Sequence, residues 1–410
     1  MTDVEIRPVT AEDDFEAQLD LGQRAFGIYS QQQKASWLFM ARLRAGQGMF
    51  LGAFAGGKPA GAAMLHDMRQ YWLGRPVPCG GVASVKVAPE YRGRGIGRAL
   101  MTELLELTAA RGHLLSVLYP ATMPIYRALG WELAGARYQF TVPARSLLTL
   151  AAPDADIGPP PPPAPPVRRV TPDDAATMIS VSGRTHLAAR DAGAITWDEA
   201  PARQWLSRPD LYSYLAGEAG DTGDAGFAAY RWKHGDSREL FVERVDATSP
   251  GALRALWSVI ASNASVTRTV SGWTAPSGPL WWLTRERDAS VSQRSMWMLR
   301  VVNVPAAIAA RGFPSAAAAR VPLQITDRAR PANTGSWLLT VADGTGSLIP
   351  NEPVPSPAPL TLGSRGVAAL YGGTPVSALR LAGLASGGRP DEDAALDAVL
   401  AATPYMLDDF

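Results

Sequence analysis

The stretch Arg92-Gly93-Arg94-Gly95-Ile96-Gly97 places three glycines and two arginines within six residues, and Arg98 follows directly. Closely spaced glycines let a backbone approach a diphosphate, whose charge is satisfied by free amides at the start of a following helix. The arginines add positive charge beside it. A dinucleotide loop of the Rossmann type needs a glycine where Arg98 stands, and an acidic residue on a second strand. A Walker loop needs Gly-Lys-Ser/Thr, which is missing. An ordinary strand-to-helix connection is the alternative that the loop alone leaves open.

The flanking elements fit a phosphate loop. Residues 80–88 alternate in part and are rich in Val, as a strand is, and the pattern stops at Pro89. Ile96, Leu100, Leu104, Leu105 and Leu107 then form the apolar stripe of a helix that ends near Arg111-Gly112, where glycine supplies a left-handed cap. A strand is expected over 113–119 and a short helix opens at Pro124 with Tyr126 and Arg127. Further strands joined by a turn are expected over 131–144.

The run Gly158-Pro-Pro-Pro-Pro-Pro-Ala-Pro-Pro166 lacks the amide donors that helix or sheet requires and reads as a linker. Beyond it a similar order recurs, with strands expected at 212–215, 226–232 and 239–245 and a helix at about 251–262. The turn between them, Asp246 to Arg254, has lost the spaced glycines. From about Ser295 the pattern changes to a strand at 296–302, a helix at 305–311, strands at 321–327 and 335–342, and a helix at 392–402. The expected division is 1–152, a proline-rich linker 153–167, a degenerate second copy 168–294, and a third domain 295–410. The fold class is a mixture of α/β and α+β.

A chain of 410 residues exceeds what one core supports. No apolar run approaches the roughly 20 residues that span a bilayer, and a net charge of +1 gives no basic stripe for nucleic acid. Neither a membrane nor a nucleic-acid partner is expected. The N-terminus lacks a signal-peptide pattern and Cys79 is the lone cysteine, so a cytoplasmic protein without disulfides is expected. His66, His113, His186 and His234 show no metal-ligand spacing, and no metal is expected.

The order of Arg92, Gly95 and Gly97, set between a Val-rich strand and an amphipathic helix, resembles the signature of the GNAT acetyltransferases. The stretches Val82-Ala-Ser-Val-Lys-Val-Ala-Pro-Glu-Tyr-Arg-Gly-Arg-Gly and Ile125-Tyr-Arg-Ala-Leu-Gly-Trp131 look like the Eis (enhanced intracellular survival) family. That resemblance implies tandem GNAT-like domains, the second degenerate, followed by a domain similar to sterol carrier proteins. It implies acetyl-CoA as co-substrate, with the backbone of Val85, Lys86 and Val87 along the pantetheine arm, Gly93 to Arg98 (with Arg92) on the pyrophosphate, and Ala121-Thr122 lining the cofactor. Tyr126 matches the family's general acid, and the terminal carboxylate of Phe410 its general base. The family also implies a homo-hexamer.

Each assignment has a bland counterpart. Tyr126 could be a packed aromatic, and chain ends usually fray. A bulky Phe410 after Asp408-Asp409 nevertheless suits a docked terminus. Cationic amines call for acidic groups and aromatic walls, and Trp37, Trp197, Glu199, Asp408 and Asp409 are the candidates. Trp37 and Trp197 are equally readable as core. The function expected is acetylation of aminoglycoside-like polyamines at one or several amines. Lysine acetylation of peptides, and a non-catalytic lipid-binding or scaffold role, are the alternatives.

Overall fold

In the computed structural model the described residues are 4–150, 164–217, 225–233, 239–284, 287–352 and 358–410. Residues 153–163 of the expected linker and His234 lie outside them.

The first elements are β1 (Val4–Pro8), α1 (Phe15–Phe26), α2 (Gln31–Gly46), β2 (Phe50–Ala55), β3 (Lys58–Trp72), β4 (Pro76–Val87), α3 (Ile96–Ala110), β5 (Leu115–Leu118), α4 (Pro124–Arg127) and β6 (Glu132–Pro143). Strands β1 to β4 pair antiparallel in sequence order, and β4 then pairs β5 in parallel across the α3 crossover. Ile96, Leu100, Leu104 and Leu105 of α3 are buried against β2, β3 and β4, so the stripe read from sequence covers one face of the sheet.

The sheet does not stop at β6. It continues through Thr269–Thr274, Glu239–Ala247, Gly226–Trp232, Leu211–Ala216 and Val167–Arg169, so the second copy is hydrogen-bonded edge to edge with the first in one 13-stranded sheet. The strand Ala192–Trp197 branches off and pairs β3.

Two expectations need correction. Residues 131–144 hold one long strand, β6, in place of strands joined by a turn. The strand expected to open the third domain is Ser290–Val301, and it is inserted between β5 and β6 of the large sheet. Its run Trp297 to Val301, apolar except for the ion-paired Arg300, is buried, as a strand flanked on both sides requires.

The C-terminal region forms its own five-stranded sheet, in the order Thr345–Pro350, Gly335–Ala342, Ala319–Thr326, Leu360–Gly363, Ala385–Ser386. It does not stand apart. One apolar cluster runs from Trp72, Cys79, Leu115 and Val117 of the first domain through Trp297 to Leu323, Leu370 and Leu396. Continuous burial of this kind fixes the last domain rigidly on the first. The chain's end is therefore carried to the same sheet that holds the glycine loop. Among the described residues, no helix is long and apolar enough to cross a membrane.

Candidate active site

Strands β4 and β5 pair only from Cys79–Leu115 to Gly81–Val117 and then part. Past this fork β4 is still paired to β3 on its other side, but a bulge sets in between Ala83 and Lys86, with Ser84 at φ +52°. A non-glycine residue at positive φ is uncommon and marks a built feature. Among the described residues nothing pairs with the opened edge of β4 from Val82 to Val87. The edge at Val85, Lys86 and Val87 is thus open to an extended, amide-bearing molecule, with Val87 O accepting from the Arg92 side chain at 3.4 Å.

Beyond β4 a turn at Pro89–Tyr91 leads into the glycine loop. Gly93 and Gly95 have φ of +76° and +80°, and a Cβ at either would meet nothing within 4 Å. The glycines are needed for conformation, and they leave open space above the first turn of α3. Gly97 serves differently, because a Cβ there would come to 3.0 Å of Ile125 Cδ1. Arg92, Arg94 and Arg98 are all exposed around this turn, with Ile96 buried beneath it. The arrangement fits a diphosphate cradle at a helix N-terminus.

Ala121 and Thr122 lie exposed between β5 and α4. Tyr126 is buried against the α3 cluster, and its hydroxyl has no hydrogen-bond partner among the described residues. Burial pushes its phenol up to about 12, so it stays protonated at neutral pH.

The last residues reach the fork by threading between β6 and the strand Ala192–Trp197. Tyr405 N donates to Ala192 O at 2.9 Å and Met406 N to Ala136 O at 3.2 Å. Glycine on both sides makes room: a Cβ at Gly135 would come to 2.6 Å of Pro404 O, and one at Gly193 to 2.8 Å of Tyr405 O. The Phe410 ring then packs edge-on against His66, Tyr119 and Trp197, and a Cβ at Gly81 would lie 3.1 Å from its Cε2. Gly81 is the last paired residue of the fork. The terminal carboxylate has no ion-pair or hydrogen-bond partner among the described residues.

The acidic residues expected to meet a cationic substrate are placed otherwise. Asp408 is ion-paired to Arg244, accepts from Trp197 Nε1 at 3.1 Å, and its carbonyl accepts from Tyr119 at 2.9 Å. Asp409 pairs with Arg137 at 2.6 Å, and that guanidinium lies 3.5 Å from the Trp273 ring centre. Both aspartates anchor the tail through these ion pairs, Asp408 largely covered and Asp409 exposed. Glu199 is exposed and pairs with Arg203 one helical turn on. Trp197 is brought to the fork. Trp37 is half-buried, with Nε1 on Ser84 Oγ at 3.2 Å and an edge contact to Phe50.

Two residues at the site were not singled out by spacing. Lys86 turns its buried ammonium onto Gln18 O at 2.8 Å and the Trp37 ring at 4.3 Å, and burial lowers its pKa to about 7. The contribution expected of Lys86 was that of its backbone alone; its side chain also ties α1 and α2 to the opened strand. His66 is the other. It is buried, accepts at Nδ1 from Arg44 Nε at 3.0 Å, and is held near pKa 3 by burial and by that guanidinium. Its antiparallel pairing with Gly81 brings it to the Phe410 seat, a relation between strands that no local pattern carries.

Comparison with known proteins agrees with this architecture. Residues 5–134 and 189–301 each match the acetyltransferase (GNAT) domain family, and 304–407 match the sterol carrier protein domain family. N-acetyltransferase Eis of Mycobacterium tuberculosis is 28% identical over 318 residues, covering 73% of each chain. The crystal structure of a GCN5-related N-acetyltransferase from Kribbella flavida superposes with a TM-score of 0.88 at 40% identity, covering 100% of this chain and 98% of that one. Eis1 from Mycobacterium abscessus shares the fold, with a TM-score of 0.76 at 22% identity over 99% of this chain and 100% of its own. With its glycine loop, forked strands and sterol-carrier-like last domain, and its similarity to N-acetyltransferase Eis, the chain belongs to the GCN5-related N-acetyltransferases and is an acetyltransferase enzyme.

Proposed function

We propose that this enzyme transfers the acetyl group of acetyl-CoA directly to amines of aminoglycoside-like polyamines, at one or several positions, within a ternary complex. The observation that carries this reading is the seat of Phe410 at the fork, with a terminal carboxylate that no described residue neutralises.

Acetyl-CoA supplies the thioester. The amides of Gly93 to Arg98 and the arginines around them hold its pyrophosphate, the free edge at Val85, Lys86 and Val87 aligns the pantetheine arm, and Ala121-Thr122 border it. A backbone N–H near Val85 meets the charge that builds on the thioester oxygen during attack. The Phe410 carboxylate takes the proton from the substrate ammonium, freeing the nitrogen lone pair to form the new C–N bond. As the C–S bond breaks, Tyr126 gives its phenolic proton to the departing sulfur, and the phenolate regains a proton, the one that the newly acylated nitrogen sheds. A protonated phenol in an apolar pocket is suited to that step.

Substrate charge is met by the terminal carboxylate, and the aromatic face of Trp197 beside it offers a cation–π wall. A flexible polyamine presents several amines to such a wall, which accounts for acetylation at more than one position. The homo-hexamer implied by the family belongs to the same proposal and is checked by light scattering.

The test is thiol release from acetyl-CoA with aminoglycosides, simple polyamines and lysine peptides, with product masses counting acetyl groups. Turnover on aminoglycosides, with mass steps of one or more acetyl groups, is expected. Turnover confined to lysine peptides would replace this substrate assignment with protein acetylation.

A further inference from the structure

The second domain repeats the fork of the first. Its strand Glu239–Ala247 runs parallel to Thr269–Thr274 from Glu239–Thr269 to Val242–Gly272, after which the two part. A bulge follows at once, with Glu243 extra against Ala229 and Tyr230, as Ser84 and Val85 together face the single residue Ala63 in the first domain. Among the described residues nothing pairs with the opened edge from Glu243 to Ala247.

A cavity of about 490 Å³ occupies this gap. Val245, Ala247 and Trp257 line it from the helix side of the sheet, while Trp273, Asp246 and Tyr405 line it from the other. It therefore passes between the parted strands. Its volume falls in the range of about 300–1,000 Å³ that small-molecule sites occupy.

The chemistry of the walls narrows the occupant. A nucleotide diphosphate is disfavoured, because the helix Pro250–Ala261 starts without a glycine turn and its amide at Ala252 is capped by Ser249 Oγ at 3.2 Å. A free cation finds no open carboxylate: Asp246 is held by Ser182 at 2.5 Å and by Arg244, and Asp191 by His186 at 2.8 Å and by Tyr405. The lone guanidinium of the lining, Arg190, is exposed and tied to Phe313 O at 2.8 Å, so an anion would sit at the rim and not between the parted strands. What remains unsatisfied is a strand edge between apolar and aromatic walls, and such an edge is completed by amides in an extended chain.

We infer that this cavity binds an uncharged, elongated, amide-bearing chain of the pantetheine type, distinct from the acetyl-CoA cleft of the first domain. One wall is the segment Ala401 to Tyr405, so the occupant touches the tail on its way to Phe410.

The test uses the full chain saturated with CoA, which fills the first-domain cleft, and radiolabelled pantetheine as the probe in equilibrium dialysis. One bound CoA and one bound pantetheine per chain are expected, with slower hydrogen exchange at 245–247 and 401–405 when pantetheine is present. Ala247→Trp and Leu253→Trp fill the cavity from two elements, so either serves if the other fails to fold. Each is expected to weaken pantetheine binding by about tenfold or more while CoA binding and acetyl transfer hold. Absence of pantetheine binding at saturating CoA, or binding that a folded filling variant leaves unchanged, overturns the inference.

Discussion

Arg44 Nε donates to His66 Nδ1 at 3.0 Å, and because a guanidinium has only donors, this contact settles the imidazole as its neutral Nε2–H tautomer. Both side chains are buried beside the Phe410 seat. A histidine whose folded pKa is lowered to about 3 takes up its proton in the unfolded chain first, so its share of stability is present above about pH 6.5 and is lost as pH falls toward 3. Nitrogen NMR of the ring is expected to report Nε2–H unchanged from pH 5 to 9. A titration of His66 near pH 6.5 would show that the Arg44 contact does not form. Arg44→Met removes the donor and is expected to cost about 1–3 kcal/mol in denaturant unfolding.

Adding a few residues after Phe410 moves the carboxylate off the fork without touching the glycine loop. Turnover is expected to fall by about 100-fold or more, in the range that a general base contributes, with acetyl-CoA affinity near normal. Steady-state kinetics with CoA titration measures both. Unchanged turnover would remove the carboxylate from the mechanism.

The tail is held at Asp408 by a buried guanidinium, Arg244. Arg244 serves Asp408 and Asp246 together, and Asp246 is only 3% exposed. Arg244→Met leaves a buried carboxylate without its cation and is expected to cost about 3–5 kcal/mol. Asp408→Asn should cost far less, because Arg244 keeps Asp246, yet it loosens Phe410. The expected signature is reduced kcat with little change in Tm. Equal losses in both variants would mean that Asp408 stabilises the fold and does not position the terminus.

What the sequence made legible was local. The spaced glycines, the Val-rich strand and the stripe Ile96, Leu100, Leu104 depend on neighbours a few residues apart, and their elements lie where the pattern predicts. The insertion of Ser290–Val301 between β5 and β6 was not legible, since strand partners are chosen by non-local pairing that no single segment encodes. The same holds for the tail. Gly135 and Gly193 read as unremarkable glycines until Pro404 and Tyr405 pass beside them. Asp408 and Asp409 offered themselves as substrate ligands because Arg244 and Arg137 are far away in sequence and adjacent in space.

Tyr126→Phe deletes one oxygen that bonds to no described residue. Stability is expected to change by less than about 1 kcal/mol, since no hydrogen bond is lost. Acetyl transfer should slow markedly if the phenol protonates the departing thiolate, and the effect should be smaller for acetyl donors whose thiol is more acidic. Comparison of donors with different leaving-group acidity separates the two roles, because a packing residue would slow all of them alike.

Lys86 gives a prediction with a definite sign. Burial lowers its ammonium to about 7 in the folded protein, whereas the unfolded chain holds the proton to near 10.5. Between those values the unfolded state binds more protons, so stability contributed by this group rises with pH from about 7 to 10.5 and is flat below that window. The carbonyl of Gln18 and the face of Trp37 act the other way, since both favour the ammonium, and they keep the side chain bridging α1 and α2 to β4 when it is charged. In Lys86→Met the titration disappears. The difference in unfolding free energy between the parent and this variant should therefore climb in the parent's favour across pH 7–10, and stay constant from pH 5 to 7. A difference that does not vary with pH would place the Lys86 proton outside this window, and the bridge would then stay charged throughout.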